Sequence, residues 1–105
     1  MISEGQTAPD FTLPRDGGWT VTLSGFRPGK VVLYFYPKDD TPGCTLEAQD
    51  FNARLADFTA AGTTVIGLSK DSVKSHDKFC RKHGLGIVLA SDEAGTTSED
   101  YGVWL

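Results

Sequence analysis

An α/β fold built around a parallel sheet is what this sequence predicts, and three observations carry the prediction. Apolar runs at 31–36, 63–68 and 87–90 read as buried strands, helical patterns separate them, and Pro37, Gly62 and Gly84 mark element ends. Strands alternating with helices imply βαβ units with right-handed crossovers. A chain of 105 residues, 39% hydrophobic and 23% charged, has the size and composition of one small globular domain spanning 1–105.

At the N-terminus, Asp10-Phe11-Thr12-Leu13 and Trp19-Thr20-Val21-Thr22-Leu23 alternate polar with apolar around the turn Asp16-Gly17-Gly18, which predicts a hairpin capping the sheet edge. The run Val31-Val32-Leu33-Tyr34-Phe35-Tyr36 is apolar throughout, as central strands buried on both faces are. Between Thr41 and Ala61, the spacing of Ala48, Phe51, Leu55 and Phe58 predicts one amphipathic helix stopped by Gly62. Residues 63–68 form a second strand, and Asp71 or Ser72 is suited to cap a helix running to His83 and closed by Gly84. A third strand at 87–90 is followed by turn residues and a short helix from Thr97 to Tyr101.

Fourteen acidic against ten basic residues give a net charge of -4, and no basic cluster exceeds Arg81-Lys82, so a nucleic-acid footprint is lacking. No apolar run approaches the roughly 20 residues of a membrane span, and Met1-Ile2-Ser3-Glu4-Gly5-Gln6 is not patterned as a secretory signal. A cytoplasmic address is expected. In that setting the two cysteines are reactive or buried thiols rather than a permanent bridge.

Cys44 lies just past the carboxyl end of the first core strand, where active groups of parallel sheets gather. Thr41 suits an N-cap and Pro42 the first helical position, which places Cys44 in the first helical turn. Unpaired N–H groups and the positive end of the helix dipole there favour a nucleophilic thiolate. Gly43 would allow close approach of a substrate. Asp39, Asp40 and Glu47 disfavour the thiolate and only Lys38 assists it, so a further cation is expected in space. On these local grounds Cys44 is either a reactive thiol or a small buried hydrophobe.

The spacing Pro37-x-x-x-Thr41-x-x-Cys44 resembles the active-site motif of peroxiredoxins. Tyr34-Phe35-Tyr36-Pro37 and Thr41-Pro42-Gly43-Cys44-Thr45 are similar to the bacterioferritin comigratory protein/PrxQ branch. Further landmarks are Gly5-x-x-Ala8-Pro9-x-Phe11-x-Leu13, Gly67-Leu68-Ser69-x-Asp71-Ser72, Ser91-Asp92-Glu93 and Tyr101-Gly102-Val103-Trp104. The resemblance implies a thioredoxin-like fold with an N-terminal hairpin and a mainly parallel sheet. It also implies a thiol peroxidase acting on hydrogen peroxide or organic hydroperoxides. Cys44 would be the peroxidatic cysteine, Thr41 the hydroxyl that hydrogen-bonds the peroxide, and Pro37 a shield over the sulfur. Thioredoxin, or glutaredoxin, would be the reductant of a monomer or weak dimer, with no cofactor or metal.

Many members of the branch carry a resolving cysteine five residues after the first, where this sequence has Gln49. Cys80 then resembles the resolving cysteine of the subgroup that places it on the next helix, which implies an intramolecular Cys44–Cys80 disulfide and local unfolding around both residues. Family members continue beyond the Tyr-Gly-Val-Trp landmark through a strand bearing an active-site arginine, another strand and a helix. None of Arg15, Arg27, Arg54 or Arg81 matches that arginine. A piece of a longer protein is expected, with an exposed sheet face and strand edge. Two other readings remain open. One is a non-catalytic or redox-sensing thiol domain. The other is a zinc module built from His76, Cys80, His83 and Cys44, against which the histidines' setting among Lys78, Arg81 and Lys82 reads as a solvated face.

Overall fold

A computed structural model describes residues 2–103. Strands β1 (Thr12–Pro14) and β2 (Thr20–Thr22) pair antiparallel as the expected hairpin, while β3 (Lys30–Phe35), β4 (Thr63–Ser69) and β5 (Val88–Ser91) form a parallel sheet in the order β3-β4-β5. Helices α1 (Pro42–Ala53), α2 (Leu55–Ala60), α3 (Val73–His83) and α4 (Thr96–Asp100) complete the elements. Trp104 of the last landmark lies outside the described residues.

The period-two geometry of strands sorts the apolar runs into two cores. Val31, Leu33, Phe35, Ile66, Leu68, Val88 and Ala90 face one side, where Phe11 and Val21 of the hairpin region and Tyr101 cover them. Val32, Tyr34, Val65 and Leu89 face the other, packed with Ala48, Phe51, Leu55, Phe58 and Phe79 from the helices. Ile66, Leu68 and Leu89 are wholly buried. Each such side chain contributes about 1.5–3 kcal/mol of hydrophobic stabilisation.

The hairpin caps the β5 edge as expected. Arg15 bridges Ala90, the Leu89 N–H donates to the Asp16 carboxylate, and the Gly17 N–H donates to Asp77 of α3. The expected place of the first core strand is corrected. β4 is the central, fully covered strand, whereas β3 is half-buried at an edge with no partner strand beyond it among the described residues. Beside that edge lies a groove of about 440 Å³, lined by Ile2, Leu23, Phe26, Val31, Leu33 and Phe35.

A second correction concerns the long helix. It divides at Arg54, whose φ of -107° and ψ of 12° leave the helical region. Just before the break, Asn52 donates to the Gly84 carbonyl and accepts from the Gly86 N–H, which fixes the end of α1 to the loop after α3. The chain then turns so that α2 lies on β4. No glycine or proline announces this break.

Gly67 sits in register with Tyr34 on the neighbouring strand, and a Cβ there would lie 2.8 Å from the Tyr34 Cζ and hydroxyl. The glycine is thus a slot for the tyrosine ring, which stacks on Phe51 at 4.6 Å. Gly67→Ala should overpack this core and cost about 1–3 kcal/mol, measurable by urea denaturation.

Candidate active site

The polypeptide leaves β3 at Phe35 and reaches α1 through 36–41, with Tyr36 buried, Pro37 and Lys38 exposed, and Asp40 in the left-handed region at φ 58°. Thr41 occupies the N-cap position in extended conformation and Pro42 opens the helix, so Cys44 falls in the first turn as expected. The capping role expected of the Thr41 side chain is not observed. Its hydroxyl donates back to the Lys38 carbonyl at 3.1 Å, and the first-turn amides have no side-chain cap. Those N–H groups remain available at the helix start, where the dipole favours negative charge. A Cβ built on Gly43 meets nothing within 4 Å, so this side of the turn is open.

Cys44 is half-buried against the apolar cluster containing Tyr36, Ala48 and Phe79, and Cys80 borders the same cluster from α3. Both thiols are free. No side-chain hydrogen bond to the Cys44 sulfur is formed among the described residues. Two of the acidic neighbours, Asp40 and Asp39, are engaged by other partners. Asp40 pairs with Lys82 at 2.7 Å and His83 at 2.9 Å, whose hydrogen bonds hold its carboxyl below the usual value.

Asp39 turns inward. Its carboxylate accepts from the Tyr36 hydroxyl, from the Ser75 hydroxyl at 2.8 Å and from His76 Nδ1 at 2.7 Å. Burial raises the Asp39 carboxyl, but the donors from His76 and Tyr36 outweigh it and the net shift is downward. Burial likewise lowers His76, yet the bond to Asp39 and its charge prevail and the imidazole is raised. The Asp39 N–H donates to Asp71, whose carboxylate also receives the Ser69 hydroxyl. Ser72, not Asp71, caps α3.

The expectation of a solvated histidine face is therefore wrong for His76, which is 0% exposed. Its Nε2 meets the Ala90 carbonyl at 3.0 Å, so neither ring nitrogen offers a lone pair to a metal. No metal-ligating cluster occurs among the described residues, which overturns the zinc reading. A signal for the burial was present in the sequence. His76 stands midway between Val73 and Phe79, at the three-residue spacing of an inward face.

Cys80 is held by burial and by the charges of Asp16, Asp39 and Asp77, which push its thiol up to about 12. It is a protonated, weakly nucleophilic group while α3 stays in place.

The AhpC/TSA family model matches residues 4–105. The chain belongs to that family. A putative peroxiredoxin Bcp of Coxiella burnetii is 51% identical over 102 residues, covering 97% of this chain and 68% of that protein. The solved bacterioferritin comigratory protein of Xanthomonas campestris superposes with a TM-score of 0.85 at 43% identity, over 88% of this chain and 59% of that one. BcpB of Mycobacterium tuberculosis reaches 0.88 at 36% identity, over 93% of this chain and 64% of that one. This peroxiredoxin chain thus has the thioredoxin-like fold and falls in the Bcp/PrxQ branch, while spanning about three fifths to two thirds of these relatives. No helix among the described residues is long and apolar enough to cross a membrane.

Removing one member of a buried ion pair strands the other, at a cost of about 3–5 kcal/mol. Asp39→Asn should lose that much stability near pH 6, read by urea denaturation. The loss should shrink at both pH extremes. The depressed Asp39 contributes stability that disappears as pH falls through its folded pKa. The raised His76 contributes stability that is complete below about 6.5 and disappears as pH rises through its folded pKa.

Proposed function

We propose that this chain carries the thiol-peroxidase centre of a peroxiredoxin, with Cys44 as peroxidatic cysteine and Cys80 as resolver. The observation that supports the reading most directly is the half-buried Cys44 in the first turn of α1, beside uncapped N–H groups and an open glycine. The Xanthomonas bacterioferritin comigratory protein is described as having alkyl peroxide reduction activity, and hydrogen peroxide or an organic hydroperoxide is the substrate class proposed for this chain.

The Cys44 thiolate attacks the distal peroxide oxygen, the O–O bond breaks, and the leaving alkoxide or hydroxide takes a proton. Helix-start amides are the donors available to oxygen at this point, the Thr41 hydroxyl would join them by turning from the Lys38 carbonyl, and Pro37 limits access to the sulfur. Cys44 sulfenic acid then condenses with the Cys80 thiolate. The S–O bond breaks, an S–S bond forms, and the departing hydroxide is protonated to water. Thioredoxin, or glutaredoxin, would return two electrons to the disulfide. A cytoplasmic setting and small thiol-bearing or protein partners, rather than nucleic acid or membrane, accompany this reading.

The half-buried packing of Cys44 against the cluster of Tyr36, Ala48 and Phe79 favours a second reading, a redox-sensing thiol of low turnover. Stopped-flow oxidation by hydrogen peroxide decides between them. The peroxidase reading expects rates several orders of magnitude above free cysteine, loss of all consumption in Cys44→Ser, and a mass-mapped Cys44–Cys80 link after one equivalent of peroxide. Cys80→Ser should stop at the sulfenic acid. Oxidation no faster than free cysteine would sink the peroxidase reading, and persistently free Cys80 would remove the resolver.

A further inference from the structure

The buried Asp39–His76 pair takes no part in the chemistry above, yet it ties together the two pieces of chain that this chemistry must rearrange. Asp39 belongs to the segment carrying Pro37 and Thr41. His76 lies one helical turn before Cys80 on α3. One ring nitrogen faces the Asp39 carboxylate and the other the Ala90 carbonyl. With Asp39 ionised both partners are acceptors, so both contacts are satisfied only when each nitrogen carries a proton, in line with the upward shift of the buried imidazole.

The groups around the ring come from every element packed on it. Tyr36, at the end of β3, lies 3.5 Å from Nδ1 but spends its proton on Asp39. Asp71, from the β4–α3 loop, adds negative charge and holds the Asp39 N–H, Ser75 bonds Asp39 from α3 itself, and β5 supplies the Ala90 carbonyl. The far end of α3 is held from the adjacent residue, since Asp40 receives Lys82 and His83. Two successive aspartates therefore fasten α3 on either side of Cys80. The Cys80 carbonyl in turn accepts the Gly84 and Leu85 N–H groups that close the helix, with Gly84 at φ 61°.

Resting on the peroxidase reading, we propose that His76 is a positioning residue of the resolving step, the latch that holds α3 folded and must open before Cys80 can reach the Cys44 sulfenic acid. While the latch is shut, Cys80 remains a helical, half-buried thiol. Opening frees it to ionise and displace the sulfenic oxygen. Loss of one imidazolium proton sets a nitrogen lone pair against an oxygen, so the latch weakens as pH rises through the titration of His76.

The test follows disulfide formation after one equivalent of hydrogen peroxide by acid quench, thiol blocking and mass spectrometry, in the wild type and His76→Gln. At pH 6 the variant should form the disulfide about tenfold faster. The ratio should fall toward unity as pH is raised through the titration of the wild-type ring. A ratio of one at pH 6, or a ratio that stays constant while the ring titrates, overturns the latch, because a purely structural defect does not follow the titration of one ring. Amide hydrogen exchange on the reduced wild-type protein tests the same point without a variant. Corrected for intrinsic base catalysis, amides of 76–83 should lose protection as pH rises, while those of 65–68 keep theirs. Parallel behaviour of the two sets also overturns it. If wild-type Cys44 forms neither sulfenic acid nor disulfide, the peroxidase reading fails instead, and exchange still judges the latch.

Discussion

The Asp39 carboxylate is the constraint on which this structure is organised. A charge so deeply placed is tolerated only when fully paired, and three donors converge on it from the end of β3 and from α3. Through its N–H it also engages Asp71 and so the end of β4. The turn between β3 and α1 is therefore fixed by its own Tyr36 and by polar contacts to α3 and to the end of β4, which sets where α1 begins and where Cys44 sits. Hydrophobic packing gives the sheet its two faces; this carboxylate fixes the loop above it.

This arrangement changes the electrostatic picture around the nucleophile. Asp39 and Asp40 read in sequence as two negative charges a few residues from Cys44. In space each is committed to cations on α3, one buried and one exposed. The repulsion expected from the acidic doublet is thereby reduced.

Much of the fold was legible because its signals are local. The apolar runs of β3, β4 and β5, the hairpin turn at Asp16-Gly17-Gly18, Gly84 as a helix stop and Pro42 as a helix start all appear in the elements they predict. Cys44 at a helix start was legible for the same reason. Strand order was not, since an apolar run is the same whether its strand is central or at an edge whose faces are still covered. The break at Arg54 was hidden because its cause is Asn52, which bonds a loop distant in sequence. The charges of Lys78, Arg81 and Lys82 mask the burial of His76, which its spacing from Phe79 signals. Its partner, Asp39, lies 37 residues back along the chain, beyond the reach of local pattern.

The two attachments of α3 differ in one respect that bears on how the helix behaves in solution. Asp40 and Lys82 are open to solvent, so mobile ions compete for their attraction and ionic strength loosens the carboxyl-terminal turn beyond Cys80. Asp39 and His76 are shielded from counterions and respond chiefly to proton activity. One helix is thus held by a contact sensitive to salt at one end and by a contact sensitive to acid and base toward the other. Saline and alkaline conditions would not release it from the same side.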